Sequence, residues 1–366
     1  MHRNETTRKS SRTLWRKAGT LDLPAGQVSD VSRSASTTLL NVKQRANALR
    51  TLFDSYGVQL APNSSVAKLI ADAQGASDAW LLNTAIEHRQ LFNAILFDRI
   101  ADALLPLAGD RSAGRYLQVL SRGDLDLFSR SSSQAKSLLW ELELWALLRR
   151  RSFNAELSEP DIVVEAEGLR IAIACKKLYS ERHVQNVLSQ AVHQIEPAFD
   201  VGIVALNLDD LLPPDVVLRV EDHSAVADRL NSINEQFLRE HERHLLKYLN
   251  PGRMVGVFVS TSVLADLFRQ RIRFNNVRQA TIWTVPGLPA QKQRAVNELY
   301  RGMFGALPPL TLGRQSFAQI SAVEGIRMPE HLDQQFRTFE AEGLKADERR
   351  RVLLAKYTPV KIRRKP

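Results

Sequence analysis

The residues of this 366-residue chain with the means to do chemistry gather near its middle. Asp161 opens and Lys176 nearly closes the stretch Pro160–Lys177. It consists of two apolar, β-rich runs on either side of Glu167-Gly168, a hairpin pattern. If Ala166 faces Leu169, Asp161 faces Ala174. Side chains alternate along a strand, so Asp161, Val163 and Glu165 share one face with Arg170, Ala172, Ala174 and Lys176. Ile162, Val164, Ile171, Ile173 and Cys175 then point the other way, into a core. An acid and an amine therefore converge at one end of the hairpin. Carboxylates hold hard cations through oxygen, and an ammonium offsets negative charge.

Two helices must flank that hairpin. The first, over 134–150, has an N-cap among Ser131-Ser132-Ser133 and apolar residues almost all round it, which predicts burial on most sides. Lys136, Glu143 and Arg150 follow at intervals of seven and define a polar stripe, so Glu143 is expected to be solvated and charge-paired. Glu141 falls beside Trp145 and Leu148 on the apolar side. A carboxylate there needs a metal or an ion-pair partner, for instance an arginine of the preceding helices, because burying it alone is costly. The second helix, Ser180 to Glu196, carries the apolar stripe Val184, Val187, Leu188, Ala191, Val192 and Ile195. Gln190 and Gln194 share one of its other faces.

Pro160-Asp161 followed by Lys176 at the end of the next strand, with a glutamate helix before and a glutamine helix after, resembles the PD-(D/E)xK nuclease superfamily. The resemblance covers roughly residues 134–210. It implies a restriction endonuclease-like mixed central sheet flanked by helices, and hydrolysis of DNA phosphodiester bonds in bacterial genome defence or repair. It also implies Mg²⁺ or Mn²⁺ as cofactor, Asp161 and Glu141 as metal ligands, Lys176 as charge stabiliser, and Gln194 on a phosphate or a water. The family usually has Asp or Glu two residues before the lysine. Here that residue is Ala174, and Glu141 is the best compensator. Glu165 lies about 13 Å along the strand and is better placed to pair with Arg170. The alternative reading is a degenerate nuclease fold that binds nucleic acid or a protein and cuts nothing.

Composition fits a cytoplasmic globular protein. No apolar run approaches the ~20 residues of a membrane span, and the single cysteine, Cys175, excludes an internal disulfide. The net charge of +10 sits at the ends. Residues 1–20 carry six basic side chains against one acidic, and 347–366 carry eight against two. Basic termini suit sequence-blind phosphate contact, so DNA is the expected partner, and a homodimer is left open. The organisation reads as a basic disordered arm (1–35), a helical region (36–130), the nuclease-like domain (131–320) and a helical, then basic disordered tail (321–366). In the helical region, Leu39, Val42, Ala46 and Leu49 fall at helical spacing, 79–105 reads as one long helix, and 111–120 continues after it. Beyond the hairpin the expectation is strands at 201–206, 254–260 and 280–285, and helices at 224–249, 261–271 and 291–305. Such alternation argues for an α/β fold. Arg269, Arg271, Arg273 and Arg278 form a phosphate strip or a solvated face. His241-Glu242-Arg243-His244 lacks zinc-protease spacing, and no phosphate-binding glycine loop is present.

Overall fold

The computed structural model describes residues 15–17, 39–82, 84–195, 199, 201–270, 273–285 and 288–304, with positions 334, 338, 339 and 352. The chain divides into two compact units, 1–306 and 307–366, and the strands and long helices described lie in the first. The expected tail at 321–366, apart from those four positions, and the expected arm at 1–35, apart from Trp15–Lys17, lie outside the described residues.

Four helices come first: α1 (Leu39–Ser55), α2 (Ser65–Leu81), α3 (His88–Leu104) and α4 (Ala113–Arg122). Leu39, Val42, Ala46 and Leu49 are all buried, as their spacing requires. The expected single helix over 79–105 is instead the end of α2 and the whole of α3. Leu81, the last residue of α2, and Leu82, which follows it, fit the apolar period but are exposed where that helix ends.

Helix α5 (Gln134–Arg150) starts where Ser133 accepts the Ala135 N–H. Strands β2 (Ala155–Ser158), β3 (Asp161–Ala166) and β4 (Leu169–Lys177) form an antiparallel meander. Its β3–β4 register is the expected one, with Ala166 opposite Leu169 and Glu165 opposite Arg170. Glu167 and Gly168 both have positive φ, which a two-residue hairpin turn of the right twist demands. Helix α6 (Val184–Ile195) then leads to β5 (Val201–Asn207), parallel to β4.

The remainder completes an eight-stranded mixed sheet. In order come β6 (Val216–Val220), α7 (His223–Glu240), α8 (Glu242–Leu249), β7 (Gly256–Leu267), β8 (Phe274–Trp283) and α9 (Ala290–Phe304). Strand β8 pairs along almost all of one edge of β7, while β5 and then β6 pair in parallel with successive halves of the other. Near the N-terminus, Trp15–Lys17 forms β1, antiparallel to β6.

Two expectations give way here, and two strands are additions. Residues 261–267 are strand rather than helix, because β7 is buried along all its length. A continuous apolar run does not distinguish a buried strand from a buried helix. The helix expected over 224–249 is two, α7 and α8, meeting at His241. Strands β2 and β6 had no counterpart in the sequence reading.

Both faces of the sheet are covered. Ile162, Val164, Ile171, Ile173 and Cys175 pack with Trp140 and Trp145 of α5, in a core that continues into α1–α4 and α9. On the opposite face Ala172, Ala174, Val204 and Leu206 pack with α6 and with residues of α7 and α8. No described helix is long and apolar enough to cross a membrane.

Candidate active site

Two indole N–H groups hold α5 against the sheet. Trp140 donates to the Ala205 carbonyl on β5 (3.2 Å), and Trp145 donates to the Ala155 carbonyl on β2 (3.1 Å). Trp140 also stacks on Phe258. The next residue, Glu141, is thereby fixed near the end of the hairpin. Asp161 begins β3 directly after the cis Glu159–Pro160 peptide. Its Oδ2 accepts the Cys175 N–H at 2.6 Å, so the side chain itself terminates the β3–β4 ladder. The Lys176 Nζ lies 3.4 Å from the same oxygen.

Glu141, Asp161 and Lys176 line one open cleft of about 580 Å³, with Arg115, Glu159 and Gln190 also in its wall. Glu141 makes no hydrogen bond or ion pair with the described residues. Partial burial, then the neighbouring Asp161, push its carboxyl up to about 8, against the pull of Lys176 and Arg115. Burial also raises Asp161, opposed by Lys176 and the Cys175 N–H. Burial, more than repulsion, therefore favours a proton on Glu141 beside Asp161, and a divalent cation would relieve that cost. Oxygen donors from Asp161 and Glu141 fit Mg²⁺ in kind, since that ion keeps several waters beside one or two carboxylates. They offer no third protein ligand. Among the described residues no group of three His, Cys, Asp or Glu is placed to hold a metal.

The cleft takes in three of the four expected residues. Gln194 is exposed and does not line it; Gln190, one turn earlier on α6, does. Lys177 turns away from Lys176 and is sealed against Asp210 (2.9 Å) and the Asn207 side-chain oxygen (2.7 Å). Burial lifts the Cys175 thiol well above its ordinary range, which leaves it a core residue. Ala174 is fully buried beneath α6. Arg115 was not foreseen, because the N-terminal helices carried no motif. Its place follows only from α4 packing beside α5.

Of the two glutamates of α5, Glu141 lies at the cleft as expected and Glu143 does not lie in solvent. Glu143, expected in solvent, is 3% exposed, and Lys136 of the same supposed polar stripe is 1% exposed. Lys136 donates to the carbonyls of Ser129 (2.8 Å) and Ser131 (3.0 Å). Glu143 is bound by Arg99 (2.5 Å) and by Arg278, and Arg99 also reaches Asp209 (2.7 Å). Burial alone would lower the Arg99 pKa, but the two carboxylates together raise it. Burial would raise Asp209, yet Arg99 above all holds it at about 2. A spacing of seven does mark one helix face, but that face meets arginines from α3 and β8. The arginine strip expected at 269–278 loses Arg278 to this network and Arg273 to Asp266 (2.5 Å), while Arg271 lies outside the described residues. Beside the network lies a cavity of about 490 Å³ lined by Arg99, Glu143 and Arg278, whose acids are already matched by guanidiniums.

Comparison of the chain with protein families, curated proteins and solved structures returned no match.

Proposed function

We propose that this protein is a metal-dependent phosphodiesterase of the PD-(D/E)xK type acting on DNA, with Asp161 and Glu141 as ligands of Mg²⁺ or Mn²⁺. One observation carries the reading: Glu141, Asp161 and Lys176 arrive from three elements at one solvent-open cleft, and Glu141 has no partner among the described residues. The order of elements supports it too. A helix bearing the glutamate precedes the hairpin, and a helix bearing Gln190 follows it on the opposite face. When bound, the ion supplies Lewis-acid polarisation of the phosphate and an acidified water. The protein's own groups do the rest. Lys176 places a positive charge beside Asp161, where negative charge on a phosphate grows during cleavage. The Cys175 N–H fixes the Asp161 carboxylate, and Gln190 offers an amide to a phosphate oxygen at the cleft wall.

The direct assay is Mg²⁺- or Mn²⁺-dependent nicking of supercoiled DNA by the full chain. Asp161→Asn and Lys176→Ala are expected to lower it by roughly 10³-fold or more, about 4 kcal/mol of barrier. Unchanged nicking in both variants would remove the basis of the proposal. The second reading, a fold that binds without cutting, is favoured by Ala174, which leaves the family's usual second acid absent. Calorimetry separates the two. Native Mg²⁺ binding abolished by Asp161→Asn supports catalysis, whereas DNA binding with no Mg²⁺ binding supports the second reading.

A further inference from the structure

Helix α4 belongs to the N-terminal helical region, in which the sequence showed no chemical motif, yet it forms one wall of the cleft. Tyr116, Leu117 and Leu120 hold it to the core. Arg115, Gln118 and Arg122 recur at intervals of three and four, which places them on one helix face, and all three are exposed. Beside the cleft runs a second groove of about 340 Å³, lined by Arg115, Gln118, Val119, Arg122, Gly123, Gln134 and Ala135. The two depressions share Arg115, Val119 and Gln134 in their walls, so they adjoin.

Their charges differ. The cleft sets Glu141, Glu159 and Asp161 against Arg115 and Lys176. The groove lining holds two arginines, two glutamines and no acid. Arg115 is braced by its Tyr116 neighbour, donating to the phenol oxygen at 2.5 Å with its guanidinium over the ring. Arg122, Gln118 and Gln134 make no side-chain hydrogen bond or ion pair with the described residues. Seven residues of helix separate Arg115 and Arg122 by about 10 Å. Each strand of DNA presents a phosphate about every 3.4 Å of axis, so the two guanidiniums are spaced to meet non-adjacent phosphates of one strand.

We infer that the exposed face of α4 is a track for the sugar–phosphate backbone of a DNA strand, leading it to Asp161 and Glu141. The inference rests on the nuclease reading for its direction and moves phosphate contact from the basic termini to a folded surface. Arg115, Gln118 and Arg122 are positioning residues, and their contacts are sequence-blind.

The test separates binding from cutting. Affinity of the full chain for labelled single-stranded and duplex DNA is measured by anisotropy in EDTA at several salt concentrations. Arg122→Glu is expected to weaken binding at least about fivefold, and Arg115→Ala with Arg122→Ala to flatten the salt slope by about 1.4 to 1.8. Arg243→Glu on α8, an equal change of charge away from the groove, serves as control and is expected to bind as the native chain does. Folding of each variant is checked by thermal unfolding. The probe that loses more affinity in Arg122→Glu identifies the strandedness of the occupant. Native affinity in Arg122→Glu, an equal loss in Arg243→Glu, or no DNA binding by the native chain overturns the track. Lost binding in a protein that never nicks DNA upholds the track and defeats the hydrolase reading. Intact binding in Arg122→Glu with vigorous nicking does the reverse.

Discussion

Glu141 and Glu143 lie on the same helix, two residues apart, and their surroundings are opposite. Glu143 faces α3 and β8, where Arg99 and Arg278 neutralise it. Glu141 faces a cleft shared with a second acid, and its carboxyl rises to about 8. The first arrangement resolves its charge inside the protein. The second leaves a carboxyl without a counter-ion beside solvent, where burial and Asp161 favour its protonated form. The contrast shows that the number of acids on a helix is a poor guide to function. What distinguishes a site is whether each acid already has its counter-charge.

The contrast can be broken at its sealed side first. Glu143→Ala leaves Arg278 and part of Arg99 buried without a counter-ion and is expected to cost about 3–5 kcal/mol, read from urea unfolding. Glu141→Ala is expected to change the same midpoint little. Equal losses would show that the two glutamates are alike after all. Next comes Ala174→Glu, which pushes a carboxylate into the packing of Leu188, Ala191 and Val192. A loss of roughly 3 kcal/mol is expected, with no new metal affinity in calorimetry. Glu141→Gln sharpens the open side: nicking falls by about 10²-fold, near 2.7 kcal/mol of barrier, while the unfolding midpoint at neutral pH holds or rises.

The last effect is one of sign. Glu141 titrates near 8 in the fold against about 4.5 otherwise. Between those values the native state keeps a proton that the unfolded chain has released, so stability falls as pH rises through that window. Glu141→Gln should flatten this slope, and Mg²⁺ should restore stability above pH 8. Asp209 titrates at about 2 against 3.8 otherwise. Its contribution is therefore present above about pH 4 and is lost as pH falls toward 2, a loss that Asp209→Asn removes. Thermal unfolding across pH, with and without Mg²⁺, reads both slopes.

The hairpin and its two helices were legible because local rules decide them. Glu167-Gly168 sets the turn, Ser133 caps α5, and alternation fixes which residues share a face with Asp161. The mixed α/β sheet with helices on both faces followed from the alternation of elements. The first half of β7 was legible as a strand, but its second half was not, because burial on both faces leaves no residue exposed to mark a period. The orientation of α5 was misread for a related reason. Trp140, Leu142, Leu144 and Trp145 wrap the helix, so on sequence alone the spacing of Lys136, Glu143 and Arg150 marks the solvent side. The guanidiniums that turn Glu143 inward come from residues 44 and 135 positions away. Gln190 and Gln194 share a helix face, and sequence alone had no means to choose between successive turns.

One oxygen of Asp161 completes the backbone pairing at the end of β3, accepting the Cys175 N–H. An asparagine could still accept that bond, more weakly, while carrying no charge. A single amide replacement would therefore leave the end of the hairpin and the α4 surface in place while removing the negative charge that faces Lys176, so the shape of the cleft and its charge can be changed independently.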